Sequence, residues 1–245
     1  MKKIGFFIAG ALAVGTLVTS CETVVNSAEP SGVTYLPKLT MHGDAYIELP
    51  CTATSYVDEG LTALEGGNEI QVNTDITGSY FSSSTVNGPD VYSIVYSASN
   101  KDGIPGAAER TVVWNVCPGD FTTSIAGMYK ADVKRNGSIT PQYQNLGPIM
   151  IVDKGNGVFA ISDAIGGYYD FGRKYGYHYA ARGFTVKAVD IPGNKFEYAG
   201  QTIEVGDFGG ALVMTDFKID PAAKTIKFTT DWDAGFLFEV TLTQL

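Results

Sequence analysis

The chain has 245 residues, with 17 basic against 26 acidic side chains and a net charge of −9. That balance excludes nucleic acid as a partner, because phosphate contacts need clustered Lys and Arg, and the length fits one large or two medium domains. Many glycines and tyrosines, abundant Thr and Val, and no sustained helical period predict an all-β protein.

Lys2 and Lys3 precede an apolar run from Ile4 to Val18, the charged and hydrophobic regions of a secretory leader. The run is short for a membrane span. It ends in Val18-Thr19-Ser20-Cys21, which resembles the lipobox of bacterial lipoproteins. The resemblance implies a signal peptide over residues 1–20, cleavage before Cys21, and a lipid on the Cys21 sulfur that holds the folded part at a membrane surface. Loss of Lys2 and Lys3 takes the net charge from −9 to about −11. Residues 21–37 have no sustained period, and Pro30-Ser31-Gly32 breaks any element, so they read as a tether.

From Lys38 the pattern becomes that of short strands: Ala45–Leu49, Glu69–Val72, Val91–Ala98 and Arg110–Val116. Gly66-Gly67, Asn87-Gly88-Pro89 and Asp102-Gly103 separate them, and Ala107-Ala108 reads as a turn. This spacing predicts a small β-sandwich over residues 38–117. Leu39 and Gly43, then Tyr56, Asp58, Gly60 and Ala63, then the run from Val91 to Gly103 and Arg110–Val113, together resemble the bacterial immunoglobulin-like domain of Bacteroidetes surface lipoproteins. The resemblance implies a spacer or adhesion module without catalysis, and an outer-membrane location facing the periplasm or the cell surface. Cys51 departs from it, standing where the family carries a small turn residue.

In an immunoglobulin-like sandwich an early strand runs parallel to the last, so their C-terminal ends lie side by side. Cys51 follows the early strand and Cys117 the last, which implies a Cys51–Cys117 disulfide in an oxidising compartment. The alternative is two buried thiols acting as small hydrophobes.

Pro118-Gly119-Asp120 marks the start of a second β domain, residues 118–245. Met128–Val133 and Ser138–Thr140 read as a hairpin across Asn136-Gly137. Further strands are expected at Pro148–Val152, Val158–Ile161, Phe184–Val189, Lys195–Tyr198, Leu212–Ile219, Thr225–Thr230 and Phe236–Leu242. Successive strands with tight turns describe an antiparallel meander, closed as a barrel or a two-sheet sandwich.

The stretch Ile161–Phe184 combines flat rings with hydrogen-bonding groups more densely than any other. Tyr175, Tyr177 and Tyr179 alternate, which on a strand puts them on one face, while Tyr168 and Tyr169 follow Gly166-Gly167 in a loop. With Asp163, Asp170 and Arg173 beside them, these tyrosines form the candidate site for an oligosaccharide or polysaccharide. The same alternation also describes rings packed into a core, which would leave an outer-membrane protein as the partner instead.

No catalyst is expected: no spacing selects a pair of carboxylates, the chain has only two histidines, His42 and His178, and no GxSxG, HExxH or P-loop is present. No metal or cofactor is expected either, since the loop at Asp153–Gly157 reads as a glycine-rich β-turn rather than a calcium loop.

Overall fold

The computed structural model of the protein describes residues 33–81 and 83–245. The predicted signal peptide, the lipidation site Cys21 and the tether up to residue 32 lie outside the described residues. Tyr35–Leu245 forms one compact unit that contains both β modules.

The first module is a seven-stranded sandwich. One sheet has the order β1 (Lys38–Met41), β3 (Leu61–Glu65), β4 (Asn68–Ile70). The other has the order β2 (Tyr46–Leu49), β7 (Pro105–Trp114), β6 (Asp90–Ser99), β5 (Asn73–Gly78). Alternation along β6 sends Tyr92, Ile94 and Tyr96 inward against Val112 and Trp114 of β7. Ala107 and Ala108 belong to β7 rather than to a turn, because Asp102-Gly103 makes the turn and Pro105–Glu109 pairs back along Val95–Ser99. β2 pairs parallel to β7, with Leu49 opposite Trp114. Cys51 and Cys117 follow these two strand ends, and a disulfide joins them with Cα atoms 4.8 Å apart.

A fully buried Arg110 sits in this sandwich. Its guanidinium donates to the carbonyls of Asp44 and His42, to the Tyr96 hydroxyl and to the Asp58 carboxylate, which also accepts from Tyr56 and Tyr96. Each partner is therefore occupied, which a buried charge requires.

The second module is an eight-stranded antiparallel meander. In chain order its strands are β8 (Gly127–Arg135), β9 (Leu146–Asp153), β10 (Val158–Ile161), β11 (Phe184–Asp190), β12 (Lys195–Glu197), β13 (Leu212–Asp220), β14 (Thr225–Trp232) and β15 (Phe236–Gln244). The last strand returns to pair with the first, β15 with β8, so the sheet curls into a nearly closed barrel. The open seam lies between β12 and β13. There the Asn194 side chain bonds both the N–H and the carbonyl of Ile219, and Phe196 packs on Phe217 with centroids 4.8 Å apart.

Two expectations are corrected here. Ser138–Thr140 does not extend as a strand: the turn at Asn136-Gly137 closes with one antiparallel bridge, in which Arg135 and Ser138 each donate to the other's carbonyl, while Asn136 bonds Leu237 and Gly235 and holds the end of β8 on β15. Tyr175–Ala180 is not a strand either. The chain leaves the sheet after Ile161 and rejoins it at Phe184, and Tyr177–Tyr179 is a short 3-10 turn.

Candidate functional site

The segment between β10 and β11 fills the barrel interior. The carbonyl of Ala164 accepts from the buried Thr230 hydroxyl on β14, and the Tyr168 ring meets Phe238 on β15 edge to face. Gly166 has φ +65°, and a Cβ there would come within 2.7 Å of Val240 and 2.8 Å of Val133, so only glycine lets the backbone lie this close to the barrel wall. Tyr168–Gly172 then forms one wide helical turn, with the amides of Gly172 and Arg173 donating to Gly167 and Tyr168, five residues back.

Asp163 organises this plug. Its fully buried carboxyl accepts the amides of Ile165, Gly167 and Ala181 at 2.9, 2.9 and 3.0 Å, tying together the two ends of the tyrosine-rich stretch. Burial pushes its pKa up to about 7, against the pull of those amides and with a further push from Asp170. Asp170 is also buried, which raises it, and it accepts the Tyr80 hydroxyl at 2.7 Å from the first module. Arg182 donates to the Ser79 carbonyl at 2.8 Å beside it. These two bonds fasten the plug to the loop after β5. Tyr80→Phe removes a buried hydrogen bond to a carboxylate, so urea unfolding is expected to show a loss of about 2 kcal/mol with an unchanged m-value. A loss under about 0.5 kcal/mol would mean that this bond does not join the modules.

The expected tyrosine platform is therefore corrected. Asp163, Tyr168, Tyr169 and Asp170 lie in the core: Tyr168 is 2% exposed and Tyr169 7%. The barrel interior supplies apolar walls that a loop position in sequence does not reveal. Arg173 is exposed over Tyr143 at 5.8 Å, and Tyr177 is half-buried beneath Arg182. Tyr175, Tyr177 and Tyr179 share no strand face.

A smaller aromatic surface remains at one mouth of the barrel. Tyr175 is 50% exposed and Phe208 46%, with ring centroids 6.3 Å apart. The half-buried Tyr179 lies within 5.3 Å of Tyr175 and 4.8 Å of Phe208. Beneath them Tyr169 stacks parallel to Tyr175, and Trp232 lies 6.1 Å from Phe208. Gly206 holds Phe208 in place: its φ is +45°, and any Cβ would collide with the His178 carbonyl. Sequence reasoning missed Phe208. The signal was available, a large ring in the glycine-rich run Gly206-Asp207-Phe208-Gly209-Gly210, of the same kind that drew attention to Tyr168.

A family model described as "-like, C-terminal domain" matches residues 118–244, more than half of the chain. The chain belongs to that family. The match covers the barrel, its plug and the aromatic surface. The chain is also similar to a solved structure, the lipoprotein BT2262 from Bacteroides thetaiotaomicron, at 27% identity and a TM-score of 0.54, over 85% of this chain and 100% of that one. A second solved structure, CBM51-2 in complex with GlcNAc and INT domains from Clostridium perfringens ZmpB, matches at 13% identity over 84% of this chain and 43% of that one. Its TM-score of 0.25 is too low for a shared overall fold, so its ligand says nothing about this chain. No curated protein matches significantly.

Proposed function

We propose that the protein is a non-catalytic binding lipoprotein of the cell envelope, anchored at the outer membrane through Cys21, that takes a glycan on the Tyr175–Tyr179–Phe208 surface. Similarity to a Bacteroides lipoprotein over the whole length of that chain supports the anchor. The first module, with its early strand parallel to its last, acts as an immunoglobulin-like spacer between membrane and barrel.

One observation carries the glycan reading: two large rings stand half-exposed side by side, seated on buried rings that hold them in place. Apolar ring faces suit the C–H faces of a pyranose, and fixed side chains lose little entropy on binding. Asp207 and His178, both exposed, lie next to these rings in sequence and offer partners for hydroxyls.

The test is affinity electrophoresis of the full chain in detergent against plant and host polysaccharides, beside Tyr175→Ala/Phe208→Ala. Retardation on at least one glycan, weakened roughly 10-fold or more in the variant, is expected. Trp232 provides a second readout, since its emission should change on binding. A chain retarded by no glycan would overturn the reading in favour of a protein partner, sought by pull-down from outer membranes.

A further inference from the structure

A cleft of ≈ 650 Å³, within the usual size of ligand sites, opens where the sandwich meets the barrel. Two backbone segments lie between it and the aromatic surface, and consecutive residues of each serve one side and then the other. Tyr179 belongs to the surface and Ala180 lines the cleft; Phe208 belongs to the surface and Asp207 lines the cleft. Successive Cα atoms are about 3.8 Å apart, so the two sites adjoin. Asp207 and Phe208 are both exposed, so the edge that the sites share faces solvent.

The charges of the cleft answer one another. Lys154 lies over the Phe81 ring at 4.7 Å and faces the buried Asp90. Arg182 donates to the Ser79 carbonyl and faces the buried Asp170. The exposed Glu204 and Asp207 line the same space, so two cations stand among four carboxylates and an added anion is repelled. What the walls offer is hydrogen bonding of both kinds. Carboxylate oxygens accept from hydroxyls, and ammonium and guanidinium N–H groups donate to them. Ala160, Ala180, Gly183 and Gly206 put no large side chain into the space. A neutral, hydroxyl-rich ring suits such walls. A cation would meet Lys154 and Arg182, and an apolar ligand would take water from charged groups without replacing its hydrogen bonds.

Cleft and aromatic surface complete each other. Phe81 packs against the barrel core and carries Lys154 on its ring, so the cleft has little bare ring for stacking. Tyr175 and Phe208 present ring faces but few hydrogen-bonding groups. One chain of sugars laid across the Asp207–Phe208 edge uses both, with one residue stacked on the rings and its neighbour hydrogen-bonded in the cleft.

We infer that the cleft is the second subsite of one elongated glycan site, and that the protein reads a run of neutral sugar residues rather than a single terminal sugar. The inference rests on the glycan reading above and gives it a substrate class.

The test is calorimetric titration of the full chain with unbranched cello-, xylo-, manno- and malto-oligosaccharides, each series running from disaccharide to hexasaccharide. In at least one series the affinity is expected to rise roughly 10-fold or more between disaccharide and tetrasaccharide, then to level off. Glu204 is exposed and its side chain makes no hydrogen bond or ion pair among the described residues. Glu204→Ala, checked by an unchanged thermal melt, should therefore remove most of that rise and leave disaccharide binding as it is. Tyr175→Ala/Phe208→Ala should weaken every member of the series. A series flat with length, or a rise that Glu204→Ala leaves intact, would overturn the inference, while the glycan reading stands if the flat binding still needs both rings. Tighter binding of glucuronate-substituted xylotetraose than of xylotetraose would overturn the neutral assignment. Binding that needs Glu204 but neither ring would show that the two sites are not one. Binding of no series would also overturn the inference, and the affinity electrophoresis above then decides the glycan reading by itself.

Discussion

Asp163→Ala should lower the free energy of unfolding by about 4 kcal/mol, among the largest effects of any single substitution in the barrel. The carboxyl accepts three buried amides, and each donor left unpaired in a dry interior costs roughly 1–3 kcal/mol. No water replaces it without a cavity of its own, and the alanine methyl fills little of the space. The plug should loosen as a unit, so the stacking of Tyr175 on Tyr169 should be lost with it. Urea unfolding followed by Trp emission measures this, and a loss below about 1 kcal/mol would show that Asp163 does not hold the plug.

The same residue sets a pH dependence with a definite sign. Burial raises the folded pKa of Asp163 to about 7, whereas an unfolded aspartate titrates near 4. Across that window the folded state holds a proton that the unfolded chain has released, so stability is greatest below it and falls as pH rises towards about 7. Buried Asp90 and Asp170 are shifted in the same direction. Asp120 acts oppositely. The amides of Thr123 and Thr122 hold it down to about 2, so its contribution disappears as pH falls through that range. Stability should therefore peak at mildly acidic pH, and Asp163→Asn should flatten the decline above it. A profile that rises between about pH 4 and about pH 7 would refute this account.

Loss of the Cys51–Cys117 bond is the second large effect. The bond closes a loop with a sequence separation of 66 residues, so in the chain-entropy model its removal restores about 4 kcal/mol of freedom to the unfolded chain. The native state gives a local reason to expect a further change. β2 has four residues and pairs only with β7, at the edge of its sheet, so besides the disulfide its C-terminal end is held by the bonds of Asn115 to Leu49 and Glu48. Cys51→Ser/Cys117→Ser, or reduction of the native chain, should lower the unfolding midpoint and expose the amides of Tyr46–Leu49 to hydrogen exchange. Because β6 and β7 carry the sandwich core, their amides should remain protected under the same conditions. An unchanged midpoint on reduction would contradict the prediction.

Strands were legible along the chain because their signal is local. The alternation in Val91–Ala98 and in Phe236–Leu242 reappears as alternating buried and more exposed positions of β6 and β15. Asn156 and Asn194, with glycines beside them, mark turns for the same local reason, and both adopt positive φ. The hairpin expected at Asn136-Gly137 shows the limit. Its turn closes with a single Arg135–Ser138 bridge, but how far β8 pairs beyond it depends on where β15 arrives, about a hundred residues later.

By itself, the sequence determined the all-β class, the meander of the second module and the density of aromatic residues between β10 and β11, since each follows from side-chain spacing and turn chemistry over a few residues. Only the tertiary structure decided which of those rings meet solvent. A curled eight-stranded sheet encloses an interior, and the chain buries Asp163, Tyr168, Tyr169 and Asp170 within it. Tyr175 stays outside, and Phe208 joins it from a loop more than thirty residues away. Burial depends on what packs against a residue from elsewhere in the chain, so a run of similar tyrosines divides into core and surface only once the barrel has closed around it.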